Sequence, residues 1–346
     1  MDLSKETVKD SVNLLEVNNL NIRFYSNGRE MKAVNGVSFD IKKGETFGFV
    51  GESGCGKSTT SRAIIRLLAE NARVPDGEIL YNGTDILKLS QEKLRKIRGK
   101  EIGMIFQEPM TALNPVLTIK KQMYEQFLGT GMTAKEKEEK AVEMLRLVGI
   151  PSPEKRLKEY IHQFSGGMRQ RAMIAITLAA NPKLLIADEP TTALDVTIQD
   201  QIIKLINKIK KQMGMSVLLI THDLGVVSQM CDRVAVMYAG YFVETADTLT
   251  LFSKPRHPYT KGLIDALPST EKKNSSLMPI KGTTPSLSEL PDGCPFGPRC
   301  PYCQEKCTLE LPEMAEVEPG HMVRCHFSDK LIGASGLISI EDGEKQ

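Results

Sequence analysis

The chain has 346 residues, of which 41% are hydrophobic and 25% are charged, and its formal net charge is +2. This length exceeds one typical core, so we expect one large domain with an appendage, and the near-neutral charge gives no general argument for nucleic-acid binding. No apolar stretch approaches the ~18–20 residues that a membrane span needs, and the first residues lack the apolar core of a signal peptide.

Alternating strand and helix patterns run from about residue 14 to residue 240. Leu14–Phe24 and Ala33–Ile41 predict strands of a small antiparallel sheet. Further apolar runs, separated by helical stretches, predict a doubly wound parallel sheet, and they are Thr46–Val50, Ile102–Phe106, Leu184–Ala187, Val217–Ile220 and Val234–Tyr238. The charged segment 118–160 predicts a helical insertion, and the prolines and glycines beyond residue 250 predict a loop-rich tail.

Residues 51–58 read GESGCGKS, which fits the phosphate-loop pattern G-x-x-x-x-G-K-S between a predicted strand and a helix predicted over 59–68. Glycines let the backbone N–H groups turn towards phosphate oxygens, and the helix N-terminus adds a positive dipole end. Lys57 supplies a charge for the β- and γ-phosphates, and Ser58 supplies a hydroxyl for Mg²⁺. The predicted nucleoside triphosphate site consists of Gly51, Ser53, Gly54, Cys55, Gly56, Lys57, Ser58 and Thr59.

Two other strand ends carry chemistry that a triphosphate site needs. The strand Leu184–Ala187 is followed by Asp188, which can hold Mg²⁺ through water, and by Glu189, which can orient or deprotonate an attacking water molecule. His222 follows another strand and could touch a γ-phosphate, although a structural strand-end histidine is the commoner case. Ser165 precedes two glycines and a helical run, which predicts either an anion site or an ordinary N-cap.

Together these motifs resemble the ATP-binding subunits of ABC transporters over residues 14–250. Their order is the phosphate loop, Gln107 after a strand, the run Ser165-Gly166-Gly167-Met168-Arg169-Gln170, Asp188-Glu189, Ala193-Leu194-Asp195 and His222. The resemblance implies an α/β P-loop ATPase core with a mainly parallel sheet, an antiparallel β subdomain and a helical subdomain at about 110–165. A loop-rich, cysteine-containing extension is expected at 251–335. ATP and Mg²⁺ are the implied cofactors, and the intact Glu189 and His222 imply hydrolysis.

In that family two subunits stack head to tail, so the resemblance also implies a composite site. Ser165 is expected to cap the ATP held by the partner's phosphate loop, and Gly167 and Asp195 are also expected to bind nucleotide. Gln107 is expected to reach Mg²⁺ and the nucleophilic water. Adenine is expected to stack on Phe24, with Tyr25 as the alternative, while a core position for Phe24 stays open.

Two further stretches narrow the resemblance to importers of dipeptides, oligopeptides and nickel. Residues 106–115, FQEPMTALNP, are similar to the family's FQDPMTSLNP but differ at Glu108 and Ala112, and residues 257–260 read HPYT, as in the same group. The resemblance implies an ATPase that powers import of di- or oligopeptides, or alternatively nickel, from the cytoplasmic face of a bacterial cell membrane.

The partners that this resemblance implies are a second ATPase subunit and two polytopic membrane permease subunits. The second ATPase subunit is expected to be a paralogue, with a homodimer as the alternative. An extracellular substrate-binding protein is expected to act indirectly, and no nucleic acid is expected. Two rival functions remain, a soluble ABC ATPase without a transport role and a regulatory subunit that does not hydrolyse ATP.

Five of the seven cysteines fall between Cys294 and Cys325, with five, two, three and seventeen intervening residues. Four thiolates suit an iron–sulfur cluster or zinc, and reduced free thiols are the third alternative. In peptide-importer ATPases the usual four match Cys294, Cys300, Cys307 and Cys325, which implies a [4Fe–4S] cluster and leaves Cys303 as an extra thiol. Loss of this segment is expected to lower stability more than the intrinsic ATPase rate. Cys55 and Cys231 are predicted to be buried.

Overall fold

Two β-sheets carry the described part of the chain, which comprises residues 13–26, 28–192, 194–267 and 280–330 of a computed structural model. Ala193 of the predicted motif, and residues 268–279 and 331–335 of the predicted extension, lie outside the described residues.

The strands are β1 (Asn13–Ser26), β2 (Arg29–Lys42), β3 (Thr46–Val50), β4 (Ala72–Arg73), β5 (Glu78–Tyr81), β6 (Thr84–Asp85), β7 (Ile102–Ile105), β8 (Leu184–Asp188), β9 (Ser216–Thr221), β10 (Arg233–Tyr238), β11 (Tyr241–Asp247), β12 (Ala315–Glu318) and β13 (His321–Val323). The helices are α1 (Lys57–Ile64), α2 (Gln91–Ile97), α3 (Pro109–Ala112), α4 (Ile119–Gln126), α5 (Ala134–Leu147), α6 (Pro153–Arg156), α7 (Gly166–Leu178), α8 (Val196–Met213), α9 (Leu224–Met230), α10 (Thr248–Ser253), α11 (Pro258–Asp265) and α12 (Glu305–Leu309).

The larger sheet has the strand order β12-β13-β11-β10-β3-β9-β8-β7. Its five central strands, from β10 to β7, run parallel, and all residues of β3, β8 and β9 are buried. Continuous burial is expected for parallel strands whose two faces are both covered, which is why these strands read as unbroken apolar runs. The five strands that the apolar runs predict are all present. Their carboxyl ends meet at one edge, where ligands of α/β proteins bind.

The smaller sheet is antiparallel and forms the predicted β subdomain. Its long strands β1 and β2 pair along their length, and β5 joins the other side of β1, followed by β6. Side chains from both sheets share one core, which includes Leu15 of β1, Phe39 of β2 and Phe49 of β3. This common core fixes the start of the chain against the strand that leads into the phosphate loop.

The helical insertion consists of short helices rather than one long element. Helix α5 begins at a capping box, in which Thr133 and Glu136 satisfy each other's backbone N–H groups. Helix α1 is also shorter than predicted: it ends at Ile64 instead of reaching Leu68, because Arg66 takes a left-handed φ of 53° that a helix cannot include. None of the helices in the described ranges is both long and apolar enough to cross a bilayer.

Regular structure continues into the tail. Strand β13 pairs with β11, which itself runs antiparallel to β10, with Glu244 opposite Val323, so the tail extends the ATPase sheet. The fully buried carboxylate of Glu244 accepts hydrogen bonds from the backbone N–H groups of Arg256 and His257, at 2.6 and 2.9 Å, and lies 2.7 Å from Nε2 of His321. This carboxylate therefore joins β11 to two separate segments of the tail.

Candidate active site

The phosphate loop leaves β3 and enters α1 through three glycines with positive φ. These angles are 155° at Gly51, 77° at Gly54 and 109° at Gly56. A Cβ atom at Gly51 would lie 2.1 Å from the carbonyl oxygen of Met237, and one at Gly56 would lie 2.7 Å from that of Ala33. Only glycine allows the loop to pass this close to the neighbouring backbone.

The side chain of Lys57 lies inside this loop and is almost fully buried. Its Nζ donates hydrogen bonds to the carbonyl oxygens of Gly51 at 2.7 Å and Glu52 at 2.9 Å. Cys55 is buried, whereas Ser53 and Gly54 are exposed at the tip of the loop and Ser58 and Thr59 are half-buried. The loop thus holds a cation at its centre and presents its tip to solvent, as a phosphate site requires.

Ser58 and Asp188 join the phosphate loop to the end of β8. The Ser58 hydroxyl donates a 2.7 Å hydrogen bond to Oδ1 of Asp188. The other oxygen, Oδ2, is buried and has no hydrogen-bond partner within the described ranges. Burial raises the pKa of Asp188, and the Ser58 hydrogen bond opposes this effect. A buried carboxylate oxygen without a partner, beside a hydroxyl, fits the oxygen ligands that Mg²⁺ prefers.

Glu189 lies at the next position and is held by three side chains. Nε2 of Gln107 and Oγ1 of Thr192 donate hydrogen bonds to its Oε2 at 2.9 and 2.8 Å. Nδ1 of His222 lies 3.3 Å from its Oε1. Glu189 also has a left-handed φ of 46°, which is uncommon for a residue other than glycine and occurs at functional sites. The structure thus brings the predicted Gln107, Glu189 and His222 together.

The other predicted site residues form local contacts at two helix starts. The exposed Ser165 caps α7, and its Oγ accepts the N–H of Met168 at 3.4 Å. Asp195 caps α8 and accepts the N–H of Ile198 at 2.9 Å. A Cβ atom at Gly167 would lie 3.2 Å from Ile198, so the two helix starts are neighbours. Ordinary capping therefore accounts for the contacts that Ser165 and Asp195 make within one chain.

The two candidate adenine-stacking residues are adjacent on β1. Phe24 is half-buried and packs against the shared core, whereas 47% of Tyr25 is exposed. Stacking on a base needs a free ring face, so exposure favours Tyr25, the alternative, over Phe24.

The four predicted ligand cysteines lie close enough to influence one another. Burial, together with the neighbouring Cys294 and Cys307, raises the pKa of Cys300 to about 12 and that of Cys325 to about 11. Cys303 is exposed. Within the described ranges, no three His, Cys, Asp or Glu side chains are arranged to hold a metal ion. The cysteine positions therefore converge, but their thiols do not form a finished ligand set.

Comparison with known proteins identifies the family. The family described as "ABC transporter" matches residues 34–192, and "Oligopeptide/dipeptide transporter, C-terminal region" matches residues 243–307. The dipeptide transport ATP-binding protein DppD of Bacillus subtilis is 51% identical over 92% of this chain and 95% of its own. The oligopeptide transport ATP-binding protein OppD of Escherichia coli is 46% identical over 90% and 92%. The chain belongs to the ATP-binding subunits of oligopeptide and dipeptide ABC transporters.

Solved structures of other ATP-binding cassettes are similar in fold to this peptide-transporter ATPase. The dimeric ATP-binding cassette MJ0796 bound to ADP and phosphate is 28% identical, with a TM-score of 0.61 over 68% of this chain and 98% of that chain. The cassette cbiO1 of Clostridium perfringens is 28% identical, with a TM-score of 0.60 over 70% and 91%. The predicted family, fold and enzyme class are confirmed: this subunit is an ABC ATPase, which binds ATP and Mg²⁺ and couples hydrolysis to transport.

Sequence reasoning missed the roles of four residues that contact or belong to the phosphate loop and the Glu189 carboxylate. Thr192 follows the Asp-Glu-Pro run, and a hydroxyl so close to a strand-end carboxylate was an available signal. Glu52 lies inside the phosphate loop, and an ionisable side chain at that position was also a signal available in the sequence. Tyr259 and Arg299 contact Glu52 although they are 207 and 247 residues away in the sequence, and no local sequence pattern predicts contacts over such separations.

Proposed function

We propose that this subunit hydrolyses ATP at the carboxyl edge of its parallel sheet to power import of di- and oligopeptides across a bacterial cytoplasmic membrane. The observation that carries the proposal is the convergence of Gln107 and His222 on Glu189, next to the hydrogen-bonded pair of Ser58 and Asp188. A carboxylate held this firmly by neighbours from two other strand ends is oriented for proton transfer rather than free to rotate.

Each group then has one task. The loop N–H groups and Lys57 bind the β- and γ-phosphates, exchanging the present carbonyl partners of Lys57 for phosphate oxygens. Ser58, Asp188 and Gln107 would hold Mg²⁺, which when bound neutralises charge on the phosphates. Glu189 orients the attacking water and accepts its proton. His222 lies beside Oε1 of Glu189, the oxygen that Gln107 and Thr192 do not contact, and interacts with the γ-phosphate.

Ser165, Gly167 and Asp195 complete the site of a partner subunit in this proposal. Their support is the pair of neighbouring helix starts, which places backbone N–H groups and a serine hydroxyl at an exposed surface. The dimeric state of the related cassette MJ0796 is consistent with it. The second ATPase subunit would be a paralogue or a second copy of this chain, and adenine would stack on Tyr25 or Phe24.

The membrane partners would dock beside Gln107. Met110 and Val116 follow it and are 44% and 75% exposed, and a cavity of about 220 Å³ lies nearby, lined by Phe106 and Leu113 among other apolar residues. Exposed apolar side chains around a concave surface are typical of protein docking sites. We place two polytopic permease subunits here, with the ATPase at the cytoplasmic face and the extracellular substrate-binding protein acting only through the permeases.

The cysteine cluster would hold a [4Fe–4S] cluster through Cys294, Cys300, Cys307 and Cys325. Its support is the mutual influence of these buried and half-buried thiols and the 2.7 Å hydrogen bond from the N–H of Cys294 to the carbonyl oxygen of Cys307, which closes the segment on itself. Cluster assembly would then draw the thiols into a ligand set that they do not form alone. In this proposal the cluster is structural and takes no part in ATP hydrolysis.

Uptake by cells tests the proposed substrate class. A strain lacking this subunit should lose uptake of a labelled tripeptide, the native subunit should restore uptake, and the Lys57→Ala variant should not. Labelled nickel is the matched alternative cargo, because the sequence motifs also occur in nickel importers. Restored uptake of nickel without restored peptide uptake would overturn the substrate assignment. Purification with ribosomes or DNA in place of two membrane proteins would overturn the transport role.

A further inference from the structure

Arg299 belongs to the cysteine-rich segment, yet its guanidinium group lies on the phosphate loop. Nη1 donates a 2.7 Å hydrogen bond to Oε2 of Glu52, and Nη2 donates one of 3.0 Å to Oε1. This is the bidentate pairing in which both carboxylate oxygens are fixed at once. The Arg299 side chain is only 6% exposed and that of Glu52 is 30% exposed, so water screens the pair weakly.

Other contacts from the same end of the chain converge on Glu52. The hydroxyl of Thr284 donates a hydrogen bond to its Oε2, and the phenol oxygen of Tyr259, in the HPYT motif, accepts its backbone N–H at 3.0 Å. The hydrogen bond from Arg299 is the main reason why the pKa of Glu52 lies below its usual value. Arg299 also donates to the phenol oxygen of Tyr238 at 3.3 Å, which fixes the orientation of its guanidinium.

Glu52 is in turn part of the cradle around the phosphate-binding lysine. Its carbonyl oxygen accepts the 2.9 Å hydrogen bond from Nζ of Lys57 and the 3.4 Å hydrogen bond from the N–H of Cys55. A shift of Glu52 would therefore move the partners that set the position of the Lys57 ammonium group and the curvature of the loop. Arg299 can influence phosphate binding through this path without touching the nucleotide.

We propose that Arg299 is a positioning residue of the ATP site, which fixes the phosphate loop through Glu52 and so makes ATP affinity depend on the folded cysteine segment. The inference rests on the proposed ATP site. Arg299 lies in the tight turn between Cys294 and Cys300, where its N–H donates to the carbonyl oxygen of Phe296 at 2.9 Å. The position of the Arg299 side chain therefore depends on the folded conformation of the cysteine segment.

This coupling differs from the expectation that the tail acts mainly on stability. If Arg299 were purely structural, its removal would lower the thermal midpoint and leave ATP affinity unchanged. Removal of a positioning arginine would raise the Kd and KM for ATP while kcat stays nearly constant, because the reacting groups that follow β8 and β9 are untouched.

The test compares Arg299→Ala, Glu52→Gln and the double variant in the assembled transporter. We expect each single variant to raise the KM for ATP, and the Kd of a fluorescent ATP analogue, about tenfold, the loss that follows from removing one charged hydrogen-bonded pair. The double variant should be no worse than the singles, because both remove the same interaction. Should Arg299→Ala fail to fold, Glu52→Gln, on the half-exposed loop, carries the test alone.

Glu318→Gln is the matched control, since it removes an ion pair with Arg256 in the same extension. It should leave KM unchanged. If Arg299→Ala lowers the thermal midpoint like Glu318→Gln and leaves Kd and KM unchanged, the positioning role is wrong. Lys57→Ala separates the two proposals: ATP binding that survives Lys57→Ala overturns the ATP site itself, whereas loss of binding there with no effect at Arg299 overturns only this inference.

Discussion

The hydroxyl of Ser58 and the carboxylate of Asp188, 130 residues apart in the chain, meet at 2.7 Å and join the phosphate loop to the end of β8. Asp188 keeps its second oxygen buried without a hydrogen-bond partner in the described part of the chain. Desolvation, which the Ser58 hydrogen bond opposes, destabilises the ionised carboxylate, so a cation bound at this oxygen would stabilise the ionised form.

Asp188→Asn should abolish the dependence of ATP affinity on Mg²⁺ and reduce hydrolysis by at least ~10²-fold. Because burial raises the pKa of Asp188, ionisation at neutral pH costs the folded state free energy, and the neutral amide removes this cost. We therefore expect the thermal midpoint in the absence of metal to stay equal to or above the native value. An unchanged Mg²⁺ dependence in ATP titrations would show that the cation is held elsewhere.

Glu189→Gln should preserve ATP binding and reduce hydrolysis by about 10²-fold or more, since the amide keeps the shape of the side chain but cannot accept a proton. The variant should accumulate as a closed, ATP-bound dimer, which size-exclusion chromatography with and without ATP detects. Phosphate release from the assembled transporter measures the rate. Turnover near the native rate would refute the role of Glu189.

Ser165→Arg should block hydrolysis while the isolated subunit still binds ATP normally, because Ser165 is proposed to act on the partner's nucleotide. Loss of the N-cap alone predicts only a local cost of about 1 kcal/mol in folding free energy. ATP titration of the monomer, with Lys57→Ala as the comparison, distinguishes the two. Monomer binding weakened as much as by Lys57→Ala would mean that Ser165 does not act across the dimer.

Protein purified without oxygen should be brown and contain iron and sulfide. Serine at Cys294, Cys300, Cys307 or Cys325 should remove both, whereas Cys303→Ser is the matched control and should retain them. Elemental analysis decides the site: zinc without iron indicates a structural zinc site, and neither metal indicates free thiols. If Cys303→Ser bleaches the protein and Cys300→Ser does not, the choice of four ligands among five cysteines is wrong.

His257→Asn should make folding less sensitive to acid. Burial lowers the pKa of His257 from 6.5 to about 3, and its Nδ1 accepts the N–H of Tyr259 at 3.1 Å. Below pH 6.5 the unfolded chain binds a proton that the folded protein refuses, so this residue costs stability increasingly down to about pH 3. Asparagine keeps the N-cap without a titrating group.

Urea unfolding at pH 7.5 and 5.5 measures this difference. Between these two pH values the native protein should lose about 1.4 kcal/mol more stability than the variant, because only its unfolded state takes up a proton there. Equal losses in both proteins would show that His257 is protonated in the folded state.

The central sheet and most of the candidate site followed from the sequence because their signals are local. Each parallel strand is an unbroken apolar run; Asp188 and Glu189 follow one such run directly, and the phosphate loop that carries Lys57 follows another, at the edge where strand ends must meet. The end of α1 was harder to predict, since it depends on one left-handed residue, Arg66, that helical periodicity does not reveal. Ser165 could be assigned to a partner's site only through the family resemblance.

The contacts of the tail could not be predicted in this way. Arg299 and Glu52 are separated by 247 residues, and nothing in the turn between two cysteines indicates that its arginine reaches a phosphate loop. Strands β12 and β13 are only four and three residues long, and only β13 pairs with β11, where His321 lies 2.7 Å from the buried carboxylate of Glu244. Short segments of this kind acquire their structure from the surface on which they lie.

The pairing of β13 with β11 has a consequence for any shortened form of the protein. Strand β11 would otherwise be the last strand on its side of the sheet, with a row of N–H and C=O groups facing outward along a largely buried strand. Open edges of this kind recruit strands from other molecules. A protein truncated after α10 would keep every nucleotide motif but would expose β11 as an unpaired edge strand. It would therefore self-associate at concentrations at which the full-length chain does not.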